Sequence, residues 1–156
     1  MKTVVITGAT SGIGFAVCRE LAASDYSIIG VGRCEENCKK ALEQIKQDCP
    51  DAPIAFFSGD LSRQAEVLRV SNEIKEYIEA KCNGQLYGLI NNAGCVRSYY
   101  MTTEDGYEHQ FAVNHLAGFL LTYNLMEYLI KCKGRILLTS SASHKRMKMR
   151  WRDIMF

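Results

Sequence analysis

Long apolar runs, proline and net charge are all scarce in this 156-residue sequence, and each scarcity excludes something. No stretch approaches the roughly 18–20 consecutive apolar residues that a membrane-crossing helix needs. Pro50 and Pro53 are the two prolines, so the segments on either side lack the residue that breaks helices and central strands. The formal net charge is +2 at pH 7, too small for a chain directed as a whole at a polyanion. Internal repeats and low-complexity tracts are absent. There are seven cysteines (Cys18, Cys34, Cys38, Cys49, Cys82, Cys95, Cys132), an odd number, and no Cys-x-x-Cys pair. Cys34 and Cys38 stand one helical turn apart without a partner His or Cys to complete a metal site. Reduced thiols in a cytoplasmic compartment are expected, with no disulfide framework and no metal. The first strand is expected from residue 3, which leaves no room for a signal peptide.

What is present is ordinary for one soluble domain with a real core: 47% hydrophobic and 23% charged residues. The charge is unevenly placed. Lys145, Arg146, Lys148, Arg150 and Arg152 crowd residues 144–152, and without them the body is slightly acidic. Such a run suits nucleic acid, anionic lipid or plain solvent. Trp151 stands alone in it, with no aromatic pattern for base stacking, so no nucleic-acid partner is expected.

Five short apolar runs read as strands: Thr3–Thr7, Ser27–Val31, Ile54–Ser58, Leu86–Asn91 and Arg135–Thr139. They lack clean alternation, as strands buried on both faces of a parallel sheet do. Helical spacing fills the gaps at Gly12–Ser24, Glu35–Cys49, Ser62–Cys82 and Thr103–Lys131. The last of these is expected to bury Ala112, Leu116, Phe119, Leu120, Tyr123, Met126 and Ile130. The alternation predicts an α/β fold, a doubly wound parallel sheet with the first strand near the middle. Ligand is then expected at the C-terminal edge of the strands.

Thr7-Gly8-Ala9-Thr10-Ser11-Gly12-Ile13-Gly14 lies at that edge. It follows the apolar run Val4-Val5-Ile6 and opens a helix. Glycines let the backbone turn sharply and approach phosphates closely, and the free N–H groups of a helix's first turn bind the anion. The spacing is Gly-x-x-x-Gly-x-Gly, not the commoner Gly-x-Gly-x-x-Gly. About 20 residues on, where a NAD site carries an acid for the ribose hydroxyls, stands Arg33. A guanidinium pairs with a 2′-phosphate, which favours NADP(H). Glu35 and Glu36 follow slightly late and keep NAD(H) open as the less favoured cofactor.

The glycine turn with Thr-Gly in front, together with Asn91-Asn92-Ala93-Gly94 after the fourth strand, resembles the short-chain dehydrogenase/reductase family. The stretch Thr103–Leu116, with Asn114 inside it, looks like that family's retinol-dehydrogenase-like branch. The resemblance implies a Rossmann fold. It implies a cofactor shell of Thr7, Gly8, Thr10, Ser11, Gly12, Ile13, Gly14, Arg33, Asp60, Leu61, Asn92, Ala93, Gly94 and Thr139. Asp60 would contact the adenine, although a loop Asp with Ser62 as helix cap fits the same residues. Two catalytic positions also follow from the resemblance. Asn114 matches the asparagine that holds a water in a proton relay, and Ser141, beside Ser140, matches the serine that orients the substrate carbonyl.

The implied activity is hydride transfer between NADP(H) and a small-molecule carbonyl/alcohol pair, in a possible homo-oligomer. The family's Tyr-x-x-x-Lys, which supplies the proton and holds the nicotinamide ribose, has no counterpart after Ser141. Tyr77-Ile78-Glu79-Ala80-Lys81 has the spacing but falls on the wrong helix, with Tyr77 on its apolar face. Residues 1–143 are therefore expected to form an incomplete NADP(H)-binding domain, truncated after the fifth strand. Residues 144–156 are expected to be a basic loop or the start of a missing C-terminal half. The alternative is a module that binds or senses NADP(H) without catalysis.

Overall fold

A computed structural model of the chain describes residues 1–146, 148 and 150–154. Five strands form one parallel sheet: β1 (Lys2–Thr7), β2 (Tyr26–Gly32), β3 (Ile54–Ser58), β4 (Gly88–Asn91) and β5 (Arg135–Leu138). Their order is β3-β2-β1-β4-β5. The chain winds outward from β1 to β3, then crosses back to β4 on the other side of β1. The direction of winding reverses between β1 and β4, so a crevice opens there at the strands' C-terminal ends.

Helices cover both faces. α1 (Gly12–Ala22) and α2 (Glu35–Asp48) pack over Val4, Ile6 and Ile28 through Cys18, Ala22 and Ile45. α3 (Gln64–Lys81) and α5 (Ala117–Lys131) pack over Val5, Ile29, Val31 and Leu89 through Val67, Val70, Ile74, Leu121 and Leu125. Successive residues of β1 and β2 thus feed opposite layers, the period of two that a strand imposes. Val5 pairs with Ile29 on one side and Leu89 on the other, at the centre of the sheet. Each such side chain contributes roughly 1.5–3 kcal/mol by leaving water.

The strands expected from the sequence all form, four of them with slightly shifted ends. Leu86 and Tyr87 precede β4, and Thr139 lies just beyond β5. Three expectations about the helices need correction. α3 begins at Gln64 with Arg63 as its cap; Ser62 instead donates its N–H to Asp60 Oδ1 at 3.0 Å. Residues 103–108 are not helical. They form a turn through Gly106 at φ +81°, closed by a Thr102–Glu108 bridge. Glu108 then caps a short helix, α4 (His109–Phe111), accepting the N–H groups of Gln110 and Phe111 at 2.9 and 2.7 Å.

The third correction concerns the buried face of the last long helix. Between α4 and α5 runs a π-helical segment, Ala112–Leu116. A π turn inserts one residue into the helical repeat. The buried stripe therefore steps from Ala112 to Ala117, Leu121, Leu125 and Tyr128. Phe119, Tyr123 and Ile130 are 66%, 74% and 69% exposed, and Met126 is exposed too. Helix α5 is apolar on two stripes, and the π turn decides which one meets α3.

β5 pairs with β4 alone among the described residues, and all four of its residues are exposed. A short 3-10 helix, Ala142–Arg146, follows. Of the basic run, the side chain of Arg146 and residues Met147 and Met149 lie outside what is described, as do Met155 and Phe156 of the terminal segment. No helix among the described residues is long and apolar enough to cross a membrane.

Candidate active site

The glycine turn after β1 is built by two different demands. Gly8 and Gly12 have φ of +66° and +53°, the left-handed region that side chains resist. Gly14 is demanded by contact: a Cβ there would lie 2.2 Å from the Gly8 carbonyl oxygen and 2.6 Å from Asn92 Nδ2. The turn folds back on its own helix. Ser11 stands at the cap position of α1, but its side chain makes no capping hydrogen bond. The positive end of that helix is left without a side-chain acceptor. A Cβ on Gly12 would meet nothing within 4 Å, and Ile13 is exposed, so this face of the turn is open. Thr10 packs its methyl group where a Cβ on Gly32 would fall, 2.4 Å away, which docks the turn on β2.

The turn is stitched to the loop after β4. Thr7 Oγ1 accepts the N–H groups of Asn92 and Ala93, each at 3.0 Å. Asn92 Nδ2 donates to the Thr7 carbonyl at 3.1 Å. Thr139 Oγ1 donates to Asn92 Oδ1 at 3.3 Å, and the Thr139 N–H donates to the Asn91 carbonyl at 3.0 Å. One amide side chain thereby ties the ends of β1, β4 and β5 together. Asn91 donates to Thr122 on α5 at 3.0 Å while its buried Oδ1 has no partner.

Asn114 lies in the π segment and clamps the same loop. Its Oδ1 accepts the Cys95 N–H at 2.7 Å and its Nδ2 donates to the Cys95 carbonyl at 2.9 Å. A Cβ on Gly94 would stand 3.4 Å from that Oδ1. This answers why a helix carries an asparagine here: its side chain is spent on fixing the loop after β4. Ser141 is exposed beyond β5, with its Oγ accepting from the Ser143 hydroxyl at 3.0 Å and its carbonyl held by His144.

The remaining predicted residues follow the C-terminal ends of β2 and β3. Arg33 is exposed just beyond the end of β2. Asp60 follows β3, half-buried, and holds the Ser62 N–H in a local turn. Leu61 lines a cavity of about 180 Å³ with Val67, Tyr107, Leu116 and Leu120. Tyr77 does not reach the crevice. It packs edge-on against Phe57 at 5.9 Å within the α3 layer, and burial pushes its hydroxyl pKa up.

Sequence reasoning missed part of this rim. Glu108 is buried as a cap. Asp105 Oδ2 accepts the Gln64 N–H at 2.8 Å, and Glu104 pairs with Arg63 at 2.9 Å, which ties the 103–108 loop to the start of α3. The Asp105-Gly106 pair was the available signal for a turn. Cys95, Arg97 and His109, which also meet here, carry no local signal. Among the described residues no three metal-ligating side chains converge.

The features agree with a pyrophosphate cradle: an open glycine turn, an uncapped helix start and a cation one strand away. Comparison with known proteins identifies the family. The model of the short chain dehydrogenases matches residues 2–151. Retinol dehydrogenase 13 of Homo sapiens is 38% identical over 144 residues, covering 92% of this chain and 42% of that protein. Retinol dehydrogenase 12 of Mus musculus is 36% identical over 154 residues, covering 98% and 47%. The chain thus spans less than half the length of these relatives. Among solved structures, an alcohol dehydrogenase from the archaeon Thermococcus sibiricus complexed with 5-hydroxy-NADP matches with a TM-score of 0.78 at 25% identity, covering 95% of this chain and 61% of that one. A short-chain dehydrogenase from Sphingobium yanoikuyae in complex with NADPH shares the fold, with a TM-score of 0.77 at 24% identity over 94% and 56%. This chain belongs to the short-chain dehydrogenase family, and its sheet is the family's Rossmann sheet ending, among the described residues, at β5.

Proposed function

We propose that this chain is the cofactor-binding part of an NADP(H)-dependent oxidoreductase acting on a carbonyl/alcohol pair. The observation that carries the reading is the cradle itself. Gly8, Gly12 and Gly14 bring backbone close to an open helix start, and Thr7 and Asn92 hold that turn rigidly against the loop after β4. Such a cradle fits a dinucleotide pyrophosphate, with Thr10, Ser11 and Ile13 along its open side. Arg33 supplies the positive charge that a 2′-phosphate needs and an acid would repel. Asp60 and Leu61 are assigned to the adenine. Asn92, Ala93, Gly94 and Thr139 are assigned to the nicotinamide end.

When bound, the dinucleotide supplies the hydride. The chain's own part is to position and polarise. Ser141 offers its hydroxyl to the substrate oxygen, and Asn114 fixes the loop that walls the site, its part in a proton relay being to hold that loop in place. No Tyr-x-x-x-Lys follows Ser141 within the 156 residues, so these residues alone are predicted to bind NADPH without turnover. The exposed stripe of Phe119, Tyr123 and Ile130 on α5 supports a homo-oligomer.

The test is a fluorescence titration of the chain with NADPH and NADH, repeated with Arg33→Asp. Tighter binding of NADPH is expected in the native chain. The variant should lose roughly tenfold or more of that affinity, as removal of a charge-assisted pair implies. Equal affinity for both dinucleotides, unchanged by Arg33→Asp, would remove the NADP(H) assignment.

A further inference from the structure

The loop after β4 places a thiol, an imidazole and a guanidinium together at the rim of the crevice. Cys95 Sγ lies 3.5 Å from His109 Nδ1, and Arg97 Nε donates to the same nitrogen at 3.4 Å. Arginine has no acceptor, so Nδ1 must present its lone pair and the ring carries its proton on Nε2. Arg97 Nε–H and the Cys95 thiol face the same single lone pair, so Nδ1 takes a proton from sulfur only once Arg97 has turned away. Other cysteines are differently placed: Cys38 and Cys132 turn their thiols toward the main-chain carbonyls of Phe57 and Leu86.

The cluster is held from several sides. Asn114 fixes the Cys95 main chain through both its N–H and its carbonyl. The Arg97 N–H donates to Gln110 Oε1 at 3.0 Å, and the His109 N–H donates to the Met101 carbonyl at 2.8 Å. Nucleophile and base therefore meet on a pinned scaffold, the arrangement that makes a thiol reactive on demand. Burial pushes the Cys95 thiol pKa up; Arg97 and Arg33 lower it and Glu108 raises it. The resting group is the protonated thiol, so attack needs a base in place.

We propose that Cys95 is a covalent addition site for soft electrophiles of the α,β-unsaturated carbonyl class, with His109 as its general base. Arg97 Nε releases Nδ1 and turns to the sulfur, and as Sγ bonds to the β-carbon of the electrophile the thiol proton passes to His109 Nδ1. The π electrons of the carbon–carbon double bond move into an enolate. The imidazolium then returns the proton to the α-carbon. The net step is an addition that needs neither oxidant nor leaving group, and Arg97 offsets the charge that develops on sulfur. It needs no dinucleotide either, so its failure and the failure of the reading above are separate results.

The experiment treats the full chain with trans-2-hexenal and follows each cysteine by peptide-resolved mass spectrometry. Buried Cys18 reports the fold, because it stays unlabelled while the domain is intact, and exposed Cys34 reports the reagent. Cys95 should form the adduct, and His109→Gln should slow it on the order of a hundredfold with Cys34 unchanged. Arg97→Gln should slow it by a smaller factor, and carries the test if His109→Gln opens Cys18 to label. Cys95 left unlabelled while Cys34 reacts, or labelled at the native rate in the folded variants, would overturn the proposal.

Discussion

β1 and β5 are short apolar runs of the same parallel sheet, and they meet opposite fates. In β1, Val5 and Ile6 are fully buried between β2 and β4 and beneath helices on both faces. In β5, Leu137 and Leu138 remain 50% and 72% exposed, with β4 on one side and no strand on the other among the described residues. The residue types are alike, so the difference comes from neighbours and not from strand propensity. A row of unpaired backbone groups flanked by exposed leucines is an adhesive edge. The same contrast separates the two ends of the site. The glycine turn after β1 rests on a packed core, while Ser141 after β5 rests on an open strand.

The largest expected effect comes from deleting one leucine at the centre of the sheet, in β4 beside β1, and one at its β5 edge. Leu89→Ala, in the layer under α3 and α5, should cost about 2–5 kcal/mol in urea unfolding. Leu138→Ala should change stability by less than about 0.5 kcal/mol. Comparable losses at both positions would mean that β5 is packed as tightly as the centre of the sheet.

A smaller effect is expected where the core meets the cradle. Gly14→Ala puts a carbon against the Gly8 carbonyl oxygen, and overpacking of that kind costs about 1–3 kcal/mol. The reshaped turn should lose NADPH binding even in the fraction that remains folded. Retention of both stability and binding would show that the turn has slack which the 2.2 Å approach denies.

The gentlest effect is one of pH. Burial under α1 pushes the Cys18 thiol up from 9.0 to about 12. The unfolded chain gives up that proton first as pH rises. The stabilisation is thus full below about pH 9 and is lost progressively towards pH 12, at no more than about 1.4 kcal/mol per pH unit. Cys18→Ala should flatten that part of the alkaline unfolding curve. An unchanged alkaline slope in the variant would show that the core around Cys18 admits solvent.

Much of the fold was legible because its signals are local. Apolar runs of five or six residues, separated by helical spacing, place all five strands, and glycines mark the turn after β1. The strand ends that carry the site followed from the same order. What escaped depends on long-range structure. The π segment at Ala112–Leu116 shifts the buried stripe by one residue, and nothing in the apolar pattern distinguishes its two stripes. The cap role of Glu108 depends on a bridge to Thr102, and the attachment of Asp105 to Gln64 spans 41 positions. Asn114 was singled out for chemistry, yet its side chain is engaged by the main chain of Cys95, a partner no spacing rule would name.

The most direct measurement is isothermal titration of the full 156-residue chain with NADPH, alongside NADH and the Gly14→Ala variant. Saturable NADPH binding, weaker for NADH and lost in the variant, is the predicted result. A folded native chain that binds neither dinucleotide would contradict the assignment of the glycine turn as a cofactor cradle.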